Sequence, residues 1–158
     1  MENPRHPVMH DYDLEEALPY LLNRAGVRIG EAFSLELRRF GITLQTWRVL
    51  ASLAHRDGQT LSELSDHTSI ELSTLSRLVG AMEKARQVER RANPEDKRSW
   101  RFHLTSSGVA LVSQIIPMAT LYERIPLVGI SPEEAKLLKR LLTKVYDNVA
   151  TFNGGGSS

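Results

Sequence analysis

The chain contains no cysteine and no long apolar run, and each absence excludes a class of protein. Without cysteine it can form no disulfide, no thiolate metal site and no thiol redox sensor. No stretch of about 18 apolar residues is present that could cross a membrane as a helix. The N-terminus lacks the basic and apolar pattern of a secretory leader, so we expect a cytoplasmic protein without a membrane partner.

Motifs for catalysis are missing as well. The sequence holds no glycine-rich phosphate loop, no nucleophile elbow and no metal-hydrolase motif, so we expect neither an enzyme nor a bound cofactor. His6 and His10 have helical spacing but lie in a segment with two prolines, and the other three histidines fall in separate predicted elements without a visible carboxylate partner. This distribution predicts no metal site.

What is present is the composition of a folded protein with an uneven charge. The 158 residues are 41% hydrophobic and 25% charged, as in a globular domain of ordinary size. Residues 77–101 carry eight basic and four acidic side chains, a net charge of +4; because the whole chain is +1, the rest is −3. A basic segment on an acidic body is typical of a protein that presents one face to a polyanion.

The first half of the chain has the pattern of helices. Apolar residues recur every three to four positions over residues 13–40, which predicts one long amphipathic helix that ends at Gly41. Thr43 is a candidate cap for a second helix, and Thr60 with Glu63 has the capping-box pattern of a short third helix. The residues "SIE" then lead directly into "LSTLSRLVGAMEKAR". Two short helices joined by so tight a connection predict a helix-turn-helix.

Two β-like runs follow, residues 88–91 and 100–104, and the polar loop between them predicts a hairpin with a long tip. Two more helices are predicted, one after Thr105 that is interrupted or kinked at Pro117, and one that starts at Ser131 and Pro132. The predicted fold class is therefore mainly α with a small β-hairpin wing (α+β): a winged helix-turn-helix in which N- and C-terminal helices form a dimerisation domain.

The expected division of the chain follows from this order of elements. The middle, residues 41–104, is the winged helix-turn-helix DNA-binding domain, and residues 13–40 and 105–152 are the helical dimerisation region. Residues 1–12 are expected to be a flexible arm, and residues 153–158, which contain "GGGSS", a flexible tail. The compact middle is too small to cover the apolar stripes of the outer helices, so a second copy of the chain is the simplest partner for them.

The helix that begins near Leu72 has a small and polar outer face. Serine and threonine can meet base edges or phosphates in a major groove, and arginine can bind guanine or a phosphate. A plain solvated helix face is the alternative interpretation, which the tight turn before the helix and the basic hairpin after it make less favourable. The candidate DNA-binding residues of this helix are Ser73, Thr74, Ser76 and Arg77.

The hairpin tip adds three candidates, Asp96, Lys97 and Arg98. Arg98 can extend into a minor groove, where the negative potential favours arginine. Asp96 is expected either to orient that guanidinium or to hold the tip by a charge-assisted hydrogen bond. Along the second strand, Trp100, Phe102 and Leu104 are expected to face inward and the alternate residues outward. A solvated loop with an incidental charge run is the alternative.

Four segments together resemble the MarR family of winged helix-turn-helix regulators: "ITLQTWRVLASLA", "LSELSDHTSIELSTLSRLVGAMEKA", "VERRANPEDKRSWRFHLTSSG" and "GISPEEAKLLKRLL". The resemblance covers about residues 14–150. It implies a homodimer on pseudo-palindromic double-stranded DNA, with the recognition-helix residues in major grooves and the wing, including Asp96 and Arg98, in minor grooves. One departure is Arg86-Gln87, where many relatives have Gly-Leu; a left-handed residue there costs roughly 1 kcal/mol.

The resemblance also implies a repressor released by a small, often aromatic and anionic, ligand. Arg24 and Arg28 border the apolar stripe of the first helix and are candidates for a ligand carboxylate, with Trp47 as the aromatic wall. Snorkelling arginines and a core tryptophan are the alternative interpretation of these three residues. For the whole protein the alternative function is a winged-helix interaction module that docks an acidic partner.

Overall fold

The computed structural model describes residues 12–154 and contains six α-helices and one two-stranded sheet within that range. The helices are α1 (Leu18–Leu37), α2 (Leu44–His55), α3 (Leu61–Thr68), α4 (Leu72–Lys84), α5 (Ser106–Arg124) and α6 (Pro132–Gly154). The strands are β1 (Val88–Ala92) and β2 (Trp100–Leu104), and short 3₁₀ helices follow α1 and α5. The expected arm and tail lie almost wholly outside the described residues. No helix in the described range is long and apolar enough to cross a membrane.

Local sequence signals account for most helix ends. Gly41 ends the 3₁₀ turn after α1 with a φ of 68°, as predicted. The Thr43 side chain accepts a hydrogen bond from the backbone N–H of Thr46, and Thr60 and Glu63 form the predicted capping box. The predicted start of α1 at residue 13 is wrong: α1 begins at Leu18, because Pro19 fits the first helical turn and residues 14–16 form a separate turn.

The chain divides after Ala119 into two compact units. In the first unit, α2, α3 and α4 pack around fully buried apolar side chains that include Leu50, Leu64 and Leu75. Leu37 and Ile115 are equally buried, so α1 and α5 contribute to the same core. The tight start of α5 depends on Gly108, because a Cβ there would lie 2.1 Å from the backbone oxygen of Gln87. This contact explains the glycine in "LTSSG".

Large apolar faces stay exposed in each unit of the single chain. Leu18, Leu21 and Val27 of α1 are about half exposed in the first unit. In the second unit, α6 exposes a longer apolar row: Leu137, Leu138, Leu141, Leu142, Tyr146, Val149 and Phe152. Contiguous apolar surface of this extent is typical of an interaction site. α5 continues past Pro117, where an interruption or kink was predicted.

Candidate nucleic-acid interface

Helix α4 presents the polar face that the sequence predicts. Its buried residues are Leu75, Val79 and Met82, which recur at helical spacing and hold one side of the helix against the core. On the other side, Ser73, Ser76 and Arg77 are exposed and Thr74 is half-buried. Leu72 is apolar but 46% exposed, because it lies at the first helical position, before the helix reaches the core.

Sequence reasoning missed the residue that begins this helix. Glu71 is the N-cap of α4, and its Oε1 accepts a hydrogen bond from the backbone N–H of Ser73 (3.0 Å). Its Oε2 accepts from the backbone N–H of Thr74 (3.1 Å) and from the Ser73 hydroxyl. The hydroxyl of Ser73 and the two backbone N–H groups lower the pKa of Glu71 to about 2. The sequence signal was weak, because serine, threonine, aspartate and asparagine are the preferred N-cap residues and glutamate is not among them.

The hairpin tip is held by its own side chains. Asn93 is buried; its Nδ2 donates to Ser99 Oγ (2.9 Å) and its Oδ1 accepts from the backbone N–H of Glu95 (3.2 Å). Asp96 Oδ1 accepts from the backbone N–H of Arg98 (3.0 Å), so of the two expected roles Asp96 holds the tip through the backbone. Among the described contacts, the charged ends of Lys97 and Arg98 make no ion pair within the chain.

Arg101 connects the wing to the helix-turn-helix. Its Nη1 donates to the backbone oxygen of Gly58 (2.8 Å), in the turn between α2 and α3, and its Nε donates to Asn93 Oδ1 (3.1 Å). Its guanidinium also lies near Glu95 (3.2 Å) and Glu63 (3.7 Å). One side chain therefore joins β2, the wing tip and the start of α3. The alternation of the strand placed Arg101 outward and gave no hint of these partners.

The burial of side chains along β2 differs from the predicted alternation. Phe102 is buried as expected, but Trp100 is 47% exposed, because it lies beyond the core toward the tip. The Arg90 guanidinium covers its ring at 5.1 Å from the centroid. The second edge of β2 pairs with the segment before α3, where the backbone N–H of Phe102 donates to the backbone oxygen of Gln59 (2.8 Å), and the side chains of Arg101 and His103 reach Gly58 and Asp57 of that segment. Arg101 and His103 are accordingly half-buried.

His103 has the carboxylate partner that was not visible in the sequence. Its Nδ1 lies 2.7 Å from Asp57 Oδ2. Burial raises the pKa of Asp57, and the hydrogen bond and charge of His103 more than offset it, so the pKa lies below its ordinary value of 3.8. This contact fastens the middle of β2 to the same turn that Arg101 reaches.

The residues expected at an effector site do not come together. Trp47 lines a cavity of about 770 Å³ with Arg48, Arg56 and His67. A second cavity of similar size lies along α1, with Arg48 at its wall. Arg24 and Arg28 line neither of these two cavities, and the Arg24 guanidinium lies over the Tyr20 ring instead. The cations that line the cavity with Trp47 are Arg48, its neighbour on α2, and Arg56, which follows the end of α2.

Comparisons with known proteins agree with this architecture. The MarR family model matches residues 40–99, from the start of the helix-turn-helix region through the tip of the wing, up to the start of β2. The HTH-type transcriptional repressor IacR of Pseudomonas putida is 25% identical over 147 residues, which cover 92% of this chain and 87% of that protein.

Solved structures superpose over most of the chain. A MarR-family transcriptional regulator from Silicibacter pomeroyi, 27% identical, has a TM-score of 0.79 and covers 92% of this chain and 97% of its own. A mutant MarR from E. coli complexed with operator DNA is 26% identical, with a TM-score of 0.72 and coverage of 81% of this chain and 92% of its own. The family model, the relative and these structures together support a winged helix-turn-helix transcriptional regulator of the MarR type.

Proposed function

We propose that this chain is a homodimeric repressor that binds a pseudo-palindromic operator in double-stranded DNA. In this proposal Ser73, Thr74, Ser76 and Arg77 of α4 enter the major groove, and Asp96, Lys97 and Arg98 form the wing tip at the minor groove. Two observations carry it: the polar face of α4 is largely exposed, and the wing tip, held to the helix-turn-helix by Arg101, has two cations without an ion pair among residues 12–154. The named repressor IacR and the operator complex of E. coli MarR support it.

The dimer part of the proposal has its support in the apolar faces of α1 and α6. Each face, taken within its own unit, leaves several leucines about half exposed. A second copy of the chain, related by a two-fold axis, would cover each apolar face with the same faces of its partner. Two recognition helices related in this way read half-sites about one helical turn, roughly 34 Å, apart.

The test is selection of bound fragments from random DNA by the purified chain, followed by a salt titration on the selected sequence. We expect an inverted repeat, and an affinity that falls by orders of magnitude between about 50 and 200 mM salt. Weak, salt-sensitive binding without a motif would contradict the proposal and favour a protein partner for the basic face. Sedimentation of the protein with and without the selected DNA measures whether two chains bind each site.

The effector part of the proposal concerns the cavity at Trp47. Arg48 and Arg56 supply positive charge there and Trp47 an aromatic wall, which suits a small aromatic carboxylate. Ser69, the left-handed residue of the turn before α4, lines the same cavity. A ligand bound there therefore touches the turn that sets the position of the recognition helix. A ligand that binds one arrangement of this turn more tightly than the other would favour that arrangement. If the favoured arrangement binds DNA poorly, the ligand releases the operator.

A further inference from the structure

A buried glutamine beside the cavity at Trp47 has its side-chain amide fixed in one orientation. Gln59, between α2 and α3, is only 1% exposed. Its Nε2 donates to the backbone oxygens of Ser52 (2.8 Å) and Arg56 (2.6 Å), which use both amide hydrogens. Its backbone oxygen accepts from the N–H of Phe102, so β2 holds the same residue from the other side. The position of Gln59 Oε1 is therefore determined by the fold.

This orientation decides which nitrogen of His67 carries the proton. Gln59 Oε1 lies 2.6 Å from His67 Nδ1, and because a carbonyl oxygen can only accept, Nδ1 is the donor. In the neutral imidazole the other nitrogen, Nε2, then has no hydrogen and is a hydrogen-bond acceptor. Nε2 has no hydrogen-bond partner among residues 12–154, and His67 lines the cavity at Trp47. The wall of this cavity therefore contains an acceptor that is set before any ligand arrives.

The acceptor and a cation of the same cavity are separated along α2. The Ser52 hydroxyl donates to Gln59 Oε1 (3.3 Å), the same atom that His67 bonds, so the His67 ring lies beside Ser52. Arg48 precedes Ser52 by four residues on α2, which is roughly 6 Å along the helix axis. Of the two arginines in the wall, Arg56 is paired with Glu63 (3.3 Å), whereas Arg48 has no ion pair in the described range. The cavity therefore offers a cation and an acceptor about one helical turn apart.

We infer that His67 is a specificity-determining residue of the effector cavity. Its Nε2 accepts a hydrogen bond from a hydroxyl of the ligand, at the end of the ligand away from the anionic group that Arg48 binds. An aromatic ring with a carboxylate and a hydroxyl on opposite sides spans these two groups, whereas a hydroxyl next to the carboxylate does not reach His67. This inference rests on the proposed function, in its effector part.

The experiment is calorimetric titration of the full chain with benzoate, 4-hydroxybenzoate and salicylate, at about pH 8, where a free imidazole is neutral. We expect wild type to bind 4-hydroxybenzoate about 2- to 10-fold more tightly than benzoate, which is the effect of one added hydrogen bond. Salicylate, with its hydroxyl beside the carboxylate, should show no such gain over benzoate.

Two variants locate the effect. In His67→Phe the gain of 4-hydroxybenzoate over benzoate should disappear, and because both acids are compared in one variant, a general loss of stability cancels. His55→Phe is the matched control, since His55 lines the same cavity but has no hydrogen bond that fixes its ring among residues 12–154. The gain should persist in H55F.

The protonation of His67 can be measured without a ligand or a variant protein that folds poorly. Nitrogen-15 spectra of the histidine-labelled chain distinguish the two neutral tautomers, and comparison with H67F identifies the His67 signals among those of the five histidines. We expect a protonated Nδ1 and an unprotonated Nε2. The opposite tautomer overturns the inference.

The outcomes separate the two proposals. If wild type binds benzoate and 4-hydroxybenzoate equally, or if H67F keeps the gain, the role of His67 is overturned and the effector cavity stands. If wild type binds none of the three acids, the inference and the effector part of the proposed function fail together. Operator binding by the same protein is decided separately, by the DNA selection.

Discussion

Arg101 Nη1 donates a hydrogen bond over 2.8 Å to the backbone oxygen of Gly58, a residue 43 positions earlier in the chain. This contact ties the wing to the turn that precedes α3. It converts a polar hairpin, which alone would be marginally stable, into part of the folded unit. The wing tip is therefore placed by a side chain that lies outside the tip itself.

Replacing Arg101 by lysine should disturb binding without removing a charge. Lysine cannot reach Gly58 and Asn93 together, and buried Asn93 Oδ1 then loses one donor. We expect unfolding free energy to fall by about 1 to 2 kcal/mol and operator affinity to fall about tenfold. Arg91→Lys is the control, since Arg91 pairs with Arg101 in register but bonds only Glu89 among the described contacts. Wild-type operator affinity in R101K would show that the wing does not depend on this side chain.

Arg98→Ala should remove one phosphate or minor-groove contact from each wing. We expect about a tenfold weaker operator complex, and a salt dependence whose slope is smaller by about one ion per wing. Arg140→Ala, which removes the same charge from α6, should leave both quantities unchanged. Binding isotherms at several salt concentrations measure both, and an R98A complex with the wild-type slope would contradict the assignment.

Arg77→Ala should change which sequences bind as well as how tightly. If the guanidinium reads a base, discrimination at one position of each half-site falls by about 1 to 3 kcal/mol. Lys84→Ala is a control on the same helix, because Lys84 lies in the last turn of α4, far from its start. Competition between the operator and single-base variants measures the effect. An equal loss for all sequences would make Arg77 a phosphate contact.

The contribution of Glu71 to the free energy of unfolding should depend on pH in the acid range. Its pKa in the folded chain is about 2, below its ordinary value of 4.5, so its contribution is complete above about pH 4.5 and is lost as the pH falls toward 2. Thermal unfolding of wild type and E71Q should therefore differ at about pH 6 and converge near pH 2. A difference that does not change with pH would show that the charge of Glu71 does not stabilise the helix.

The effector cavity is tested by two arginine variants. Arg48→Ala should keep operator binding but lose release by an aromatic carboxylate, with salicylate as the probe, because Arg48 lines the cavity at Trp47. Arg28→Ala should still be released, since Arg28 lines neither large cavity. In a Trp100→Phe background, Trp47 is the remaining tryptophan and its fluorescence reports ligand entry. Normal release of the operator in R48A would show that Arg48 does not bind the effector.

The local structure of this chain was largely predictable from the sequence. Helix caps such as Thr43 and the Thr60–Glu63 pair act over three or four residues, so they can be identified from the amino-acid sequence alone. Strand β2 was predicted with its observed bounds, and Arg86 does take the left-handed conformation expected before the hairpin, with a φ of 56°. The order of these elements was enough to predict a winged helix-turn-helix and agrees with the family resemblance.

Contacts between distant segments were decided only by the tertiary structure. Trp100 was expected inside and is exposed, whereas Arg101 and His103 were expected outside and are half-buried. Strand alternation states that neighbouring side chains face opposite sides, but it does not state which segment contacts either side. Here Asp57 and Gly58 contact His103 and Arg101 on the second side. The same reason explains why Arg28 does not line the cavity at Trp47: the partners of a side chain from another helix depend on how whole elements pack, which no local pattern encodes.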